Sequence, residues 1–304
     1  MAGLDLAMTT YPFILNVVGA GAGPGPFLSS LPRLGEPVWL KPGHAFDIPF
    51  DGDPAAALKT ARAGNPTLDV NVVPAANRRK KLLVADMDST IIGCECLDEV
   101  ARIAGHGPRV AAITERAMRG EVDFAAALRE RVALLKGLPV EVLARVYAER
   151  VRLNAGARAL VATMRANGAK TVLVSGGFTY FTERVMADAG FDSQHANRLL
   201  DREKRLTGEV AEPILGREAK LQTLERAVAA NGLHFDDALA VGDGANDTDM
   251  IRRAGLGVAY HAKPIVMEAA DAAIVHGDLT ALLYLQGYRA DEFSPSLDGG
   301  EKLV

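Results

Sequence analysis

The chain has 304 residues, 49% of them apolar and 24% charged, with a formal net charge of −4; this composition excludes wholesale disorder and offers no electrostatic case for general nucleic-acid binding. Cys94 and Cys96 are too few and too close for a disulfide framework, and no apolar run reaches the roughly 18 residues of a membrane span. With no basic and apolar leader at its start, the chain reads as a cytoplasmic protein of about two domains, with neither nucleic acid nor membrane as partner.

Phe13 to Val18 reads as a strand and Pro26 to Leu34 as a short helix. Val38 to Leu40 and Ala45 to Phe50 read as strands about a Pro42-Gly43 turn. Pro54 to Ala63 reads as a helix with proline in its first turn, and Val70 to Val73 as a closing strand. The order βαββαβ implies a ferredoxin-like α+β sandwich over residues 1–77. Gly19, Gly21, Gly23 and Gly25 alternate after the first strand, but Pro24 and Pro26 break any dinucleotide fingerprint, so the segment reads as a loop. The basic run Arg78-Arg79-Lys80-Lys81 reads as a linker.

Beyond it, Leu82 to Ala85 is a short apolar run suited to a buried parallel strand. Helices are expected near 95–104, 108–119, 123–135 and 139–149, broken at Gly105/Pro108, Gly120 and Gly137/Pro139. Strand and helix then alternate. A helix at about 156–167, a strand at Thr171 to Val174 and a helix at about 179–189 precede a β-hairpin within 195–212 and a helix near 216–231. Ala238 to Val241, Leu256 to Tyr260 and Ala272 to Val275 follow as strands, separated by short helices at Asp247 to Ala254 and near 264–269. This pattern implies an α/β domain over 78–304, an open parallel sheet with a helical insertion after its first strand.

Three polar clusters stand at the ends of expected strands: Asp86-Met87-Asp88-Ser89-Thr90, Ser175-Gly176-Gly177, and Gly242 to Asp247. In open α/β sheets ligands bind beyond the carboxyl ends of strands, so the clusters should converge on one rim. There Asp86, Asp88, Asp243 and Asp247 would repel one another unless a cation offsets them, and oxygen-only ligands favour Mg2+. A single aspartate after a strand is more often a turn former or helix cap. Three clusters, each at a strand end, shift that balance. A calcium loop starting at Asp86 fails, because Ile91 and Leu97 stand where glycine and glutamate are needed.

Asp86-Met87-Asp88-Ser89-Thr90 matches the DxDx[TV] signature of the haloacid dehalogenase superfamily. Ser175, Lys220 and the Gly242 to Asp247 segment match its other motifs in order. The strings DMDSTIIGCECLDEVA, DFAAALRERVALLKGLP, VSGGFTYF and GDGANDTDM resemble the branch of that superfamily that hydrolyses O-phospho-L-serine, the last step of serine biosynthesis. The resemblance covers about residues 82–285. It implies a HAD-like Rossmannoid sheet with a helical cap at about 93–152 and an aspartyl-phosphate intermediate. It makes Asp86 the nucleophile and Asp88 the general acid and base. It gives Mg2+ to the Asp86 side chain, the Asp88 main-chain carbonyl and Asp243, with Asp247 supporting the metal's waters.

The same resemblance gives phosphoryl oxygens to Ser175 and the Gly176 N–H, charge compensation to Lys220, and a substrate or phosphate contact to Asn246. Glu95 is expected to take the substrate ammonium and Arg131 its carboxylate, with Met118 and Phe124 as an apolar lid. Family spacing chooses Arg131 over Arg129; periodicity alone does not. The plainer readings are a solvated helix face for Lys220 and helix-bundle core for Met118 and Phe124. The alternative is a phosphatase or phosphotransferase of the same superfamily acting on another small phosphorylated amino acid such as phosphohomoserine, which differs by one methylene, worth only ~1–3 kcal/mol of discrimination. Residues 1–77 resemble an ACT-like regulatory domain, which leaves open amino-acid binding, a homodimer interface or simple stabilisation. Cys94-Glu95-Cys96 lacks the spacing of a structural zinc site.

Overall fold

In the computed structural model, which describes residues 11–28, 34–118 and 121–294, the strands fall mainly into two sheets. The first contains β1 (Phe13–Val18), β2 (Val38–Lys41), β3 (Ala45–Phe50) and β4 (Asp69–Pro74) in the order β2-β3-β1-β4. Every neighbouring pair is antiparallel, the arrangement a split βαβ unit produces. The helices are α1 (Gly25–Leu28) and α2 (Pro54–Ala63). Asp53 caps α2 by accepting from the N–H groups of Ala55 and Ala56, and Pro54 occupies its first turn. Of the expected helix Pro26 to Leu34, residues 29–33 lie outside the described residues, and Leu34 instead bridges to Phe50. Leu15, Val17, Phe46 and Ile48 pack on Phe27, Ala57 and Ala61.

The second sheet is parallel throughout, in the order β12-β11-β10-β5-β6-β7. Its strands are β5 (Leu82–Asp86), β6 (Lys170–Phe178), β7 (Ser193–Asn197), β10 (Ala238–Gly242), β11 (Leu256–Tyr260) and β12 (Ala272–Ile274). Every residue of β5 and β10 is buried, as helices on both faces require. Those helices include α7 (Ala157–Ala166), α8 (Thr179–Ala189), α9 (Arg217–Ala230) and α10 (Thr248–Arg253). Between β5 and β6 stand α3 (Cys96–Ile103), α4 (Gly107–Met118), α5 (Phe124–Ala133) and α6 (Glu141–Arg150). The expected break at Gly120 lies outside the described residues. The hairpin of β8 (Leu199–Arg202) and β9 (Arg205–Val210) leans on α5, and a side chain at Gly208 would meet Lys136 at 2.8 Å.

Two expectations change. The hairpin is shorter than 195–212, because residues 195–197 belong to the edge strand β7 of the large sheet. The sequence reading also passed over α12 (Ala281–Leu285), whose five residues are all buried and therefore show no amphipathic period.

The basic run is not a free linker. Arg78 and Lys80 are each only 8% exposed. Arg78 pairs with Asp47 at 2.5 Å and donates to the carbonyls of Tyr284 and Leu285 at the end of α12. Arg79 bonds Glu292 and lies over the Tyr288 ring, Lys80 bonds the Asp236 carbonyl, and Lys81 pairs with Asp237. Asn16, Asp47 and Asn71 stand side by side across the first sheet on the face that meets the second. Asn16 donates to Asp47 and to the Tyr284 carbonyl. Asn71 both donates to the carbonyl of Ala273 and accepts from its N–H, closing the open side of β12 as another strand would.

Removing one partner of a buried ion pair strands the other. Asp47→Ala should therefore destabilise the chain by about 3–5 kcal/mol. Denaturant unfolding checks this, and an unchanged midpoint would contradict the buried pair.

Candidate active site

β5 lies between β10 and β6, so the three polar clusters meet at one rim of the sheet. The chain leaves β5 at Asp86 and turns sharply through Met87–Ile91. Asp88 is extended there, while Ser89 has a left-handed φ of 57°. Asp86 and Asp88, both extended, reach different partners.

Asp86 Oδ1 accepts from Lys220 Nζ at 2.5 Å, and the same ammonium reaches Asp247 Oδ1 at 2.5 Å. All three side chains are almost completely buried. Asp247 Oδ2 accepts from the Gly244 N–H. Gly242 makes the approach possible, because a Cβ there would lie 2.4 Å from Asp247 Cγ. Oxygens of Asp86, Asp243 and Asp247 lie within 4.8 Å of one another. Burial, then the Asp247 charge, raises the Asp86 carboxyl well above its ordinary value and raises Asp243 as well. Burial opposes the charge on Lys220, but Asp247 and Asp86 outweigh it and raise its pKa. Three carboxylates and one ammonium carry two net negative charges when all are ionised, and the oxygen donor set suits a hard divalent cation.

Asp88 faces away from that cluster. Its Oδ1 accepts from the Cys96 N–H at 2.9 Å and its Oδ2 from the Ser175 hydroxyl at 2.9 Å. Ser175 in turn accepts from the Gly177 N–H. Burial raises the Asp88 carboxyl despite these donors. A side chain at Gly177 would crowd Asp88 and Ser175, at 3.0 Å from each. Thr90 donates to Asp243 at 3.4 Å.

The helical segment supplies the roof. Glu95 accepts from the Ser89 hydroxyl at 2.7 Å, and burial together with Asp88 pushes its carboxyl up to about 7. Arg131, on α5, feels the carboxylates of Asp98 and Glu95, which offset the burial that lowers its pKa. Arg129 is instead exposed and paired with Glu212 at 2.6 Å, so geometry separates the two arginines where periodicity does not. Phe124 presses on the loops below. A Cβ at Gly176 would meet its ring at 3.1 Å and one at Gly216 at 3.0 Å. The Met118 side chain lies outside the described residues. Asn246 is half-buried, and its Oδ1 would be 2.4 Å from a Cβ on Gly244.

Two residues passed over in the sequence tie the loops together. Asn197, at the end of β7, donates to the carbonyls of Gly176 and Leu215 and accepts from the Leu215 N–H. It thus joins the Ser175-Gly176 stretch, which lies within β6 where its pairing to β7 is irregular, to the segment that leads into the Lys220 helix. Asn154 donates to the Thr90 carbonyl, and Ile92 bridges Leu153, so the entry and exit of the helical segment lie together. The signal for Asn197 was a polar side chain at a strand end, which sequence alone cannot tell from an ordinary turn former.

The sequence matches the family model of haloacid dehalogenase-like hydrolases over residues 83–252. A phosphoserine phosphatase of Archaeoglobus fulgidus is 46% identical over 217 residues, 71% of this chain and 63% of that protein. The chain therefore spans less than two thirds of that relative. A phosphoserine phosphatase of Polaromonas sp. is 48% identical over 210 residues, 67% of this chain and 89% of that protein. Among solved structures, a HAD family hydrolase of Salmonella enterica matches with TM-score 0.81 and 30% identity, over 90% of this chain and 97% of that one. A phospho-aspartyl intermediate analogue of phosphoserine phosphatase matches with TM-score 0.63 and 40% identity, over 67% of this chain and 98% of that one.

Asn197→Ala leaves one N–H and two carbonyls without their partner. Each buried unpaired group costs about 1–3 kcal/mol, so a loss in that range or above is expected in denaturant unfolding. Parent-like stability would show that these loops do not depend on Asn197.

Proposed function

The chain belongs to the haloacid dehalogenase-like hydrolases, and from that membership we propose that it is a Mg2+-dependent phosphatase that releases phosphate from O-phospho-L-serine. The observation that carries the reading is the buried Asp86–Lys220–Asp247 arrangement on the same rim as Asp88 and Ser175. The relatives named phosphoserine phosphatase support the substrate, and the phospho-aspartyl analogue supports a covalent route. The proposed division of the chain is 1–77 as an ACT-like unit and 78–304 as the phosphatase unit, with the cap at about 93–152; the separation of the sheets supports it. No described helix is long and apolar enough to cross a membrane, and a cytoplasmic location fits a small-molecule phosphatase.

A phosphate monoester repels an anionic nucleophile, so positioning and charge compensation make up most of the catalytic task. In the proposed reaction Asp86 attacks phosphorus through one carboxylate oxygen while Lys220 holds the other, Oδ1. The phosphorus–oxygen bond to serine breaks as Asp88 gives its proton to the departing oxygen. The raised carboxyl of Asp88 is suited to carrying that proton. Asp88 then takes a proton from the water that attacks the aspartyl-phosphate, freeing Asp86 and inorganic phosphate. Ser175 and the Gly176 N–H receive phosphoryl oxygens, which requires the Ser175 hydroxyl to turn from Asp88. The Asp86 side chain, the Asp88 carbonyl and Asp243 would hold Mg2+, with Asp247 supporting its waters; the ion would neutralise phosphoryl charge. Glu95 and Arg131 would grip the substrate's ammonium and carboxylate, Asn246 its phosphate end, and Met118 and Phe124 would close over it.

Phosphate release from phosphoserine, phosphothreonine and phosphohomoserine, with and without Mg2+, tests the reading. Phosphoserine should be turned over best and only with the metal, and a preference for phosphohomoserine would replace the assigned substrate. Asp86→Asn should reduce turnover by at least about a thousandfold, and retained activity would exclude the covalent route.

Glu95 gives a pH test. Its carboxyl, raised to about 7, is neutral below that pH and an anion above it. Apparent substrate affinity should therefore improve as pH rises through about 7. The second ionisation of the substrate phosphate, near pH ~6, is common to parent and variant. Glu95→Gln should keep that lower transition and lose the one near 7. Identical KM–pH profiles would separate Glu95 from ammonium recognition.

A further inference from the structure

The β8–β9 hairpin is inserted between β7 and α9 of the sheet unit, yet it does not pack like the rest of that unit. Other segments that leave the large sheet return to it: α8 lies on β6 and β7, α10 on β10 and β11, and α11 (Pro264–Met267) on β11. Beyond their mutual pairing, β8 and β9 pack chiefly on α5. Residues 137–140, which follow α5, lie against β9 as a third strand. The Gly137 N–H donates to the Leu206 carbonyl at 2.8 Å, the Leu206 N–H to the Leu138 carbonyl at 2.8 Å, and the Val140 N–H to the Lys204 carbonyl at 3.0 Å. Pro139 faces Arg205 at a position whose N–H this pairing does not use. Arg205 adds a bond from Nη1 to the Gly137 carbonyl at 2.7 Å. The turn between the two strands is left-handed at both Glu203 and Lys204, with φ of 51° and 60°, a costly choice for residues other than glycine. Leu206, only 3% exposed, shares its core with Leu128, Val132 and Leu135.

A two-stranded hairpin is marginal by itself, so this one takes its order from the helical segment it leans on. Parting the two would break those backbone bonds and expose Leu206. The hairpin's feet are held more lightly. The Ala211 N–H donates to the Arg198 carbonyl across the base, and Asn197 bonds Leu215. The exposed Arg129–Glu212 pair beside the feet is screened by solvent and contributes little. We propose that the hairpin belongs mechanically to the cap and travels with it, hinged at its feet about Asn197 and Leu215. The cap then stands on two legs, this one and the paired strands at Ile92 and Leu153. The second leg runs straight into α9, which carries Lys220, and Asn197 also holds the Gly176 carbonyl. Cap position is thereby coupled to the residues that receive the phosphoryl group. The inference rests on the reading of residues 93–152 as a cap that closes over phosphoserine.

Two measurements on the full chain test it. Cysteines facing each other at a non-hydrogen-bonded antiparallel pair lie close enough to join, so a disulfide in the double variant Pro139→Cys, Arg205→Cys would tie the hairpin to the cap. Oxidised and reduced forms should hydrolyse phosphoserine with kcat and KM within about twofold of each other, the parent carried through the same oxidation serving as control. A loss of about tenfold or more on oxidation, reversed by reduction and absent from the parent, would show that the hairpin must leave the cap and would overturn the proposal. Hydrogen exchange of the unaltered chain is the second measurement. The N–H groups of Gly137, Val140 and Leu206 should exchange at least about tenfold more slowly than that of Leu215. Equal rates, or faster exchange between hairpin and cap, would also overturn it. Exchange needs no substrate, so it decides the matter even if phosphoserine is not turned over, and that failure would count against the phosphatase reading alone.

Discussion

One ammonium shared by two buried carboxylates is the constraint around which the rest of this molecule is arranged. Lys220 reaches Asp86 and Asp247 at 2.5 Å each, in surroundings where none of the three can turn to water. Charge removed from water costs several kcal/mol per ion unless it is paired and fully bonded. Much of the neighbouring sequence answers that requirement. Gly242 leaves room for Asp247, Gly244 donates to it, and the α9 helix delivers Lys220 from outside the sheet. What the ammonium leaves over is negative charge on an oxygen-lined rim, and an anion can be attacked there only once that charge is offset.

The parallel sheet was legible because its strands are buried on both faces and read as unbroken apolar runs. The site was legible because Asp86, Ser175 and Asp243 each follow such a run, and strand order brings these ends together. Residues whose partners are distant in sequence were not legible. Asn197 resembles any turn asparagine until its three bonds to Gly176 and Leu215 are seen. The basic run at Arg78 resembles a solvated linker, since nothing local announces that Asp47 will lie 2.5 Å away. The choice between Arg129 and Arg131 likewise depends on which side of α5 faces Glu95, and that is decided by packing.

The junction between the sheets sets buried polar groups among apolar ones, since Ile14, Val18, Leu40, Ala45 and Val73 of the first sheet join the core of the larger unit. Asn16, Asp47, Asn71 and Arg78 are all buried there; Asn16, Asn71 and Arg78 bond backbone groups of the larger unit, and Asp47 joins Asn16 to Arg78. Such contacts are directional, so they fix one relative placement where a greasy face would tolerate sliding. Asp69 belongs to the same set, since it accepts from the N–H groups of Val275 and Gly277 just beyond β12.

The hydrogen bond from Ser175 to Asp88 has a consequence for timing. Both oxygens of Asp88 accept from the protein, one from Cys96 and one from Ser175, and donors of this kind favour the anion. In the proposed reaction a phosphoryl oxygen draws the Ser175 hydroxyl to itself. Asp88 then keeps only one of its two donors, which favours its protonated form, so the proton is in place before the leaving oxygen gains charge and draws it away. The cargo thus adds to a loading of the acid that burial has already begun.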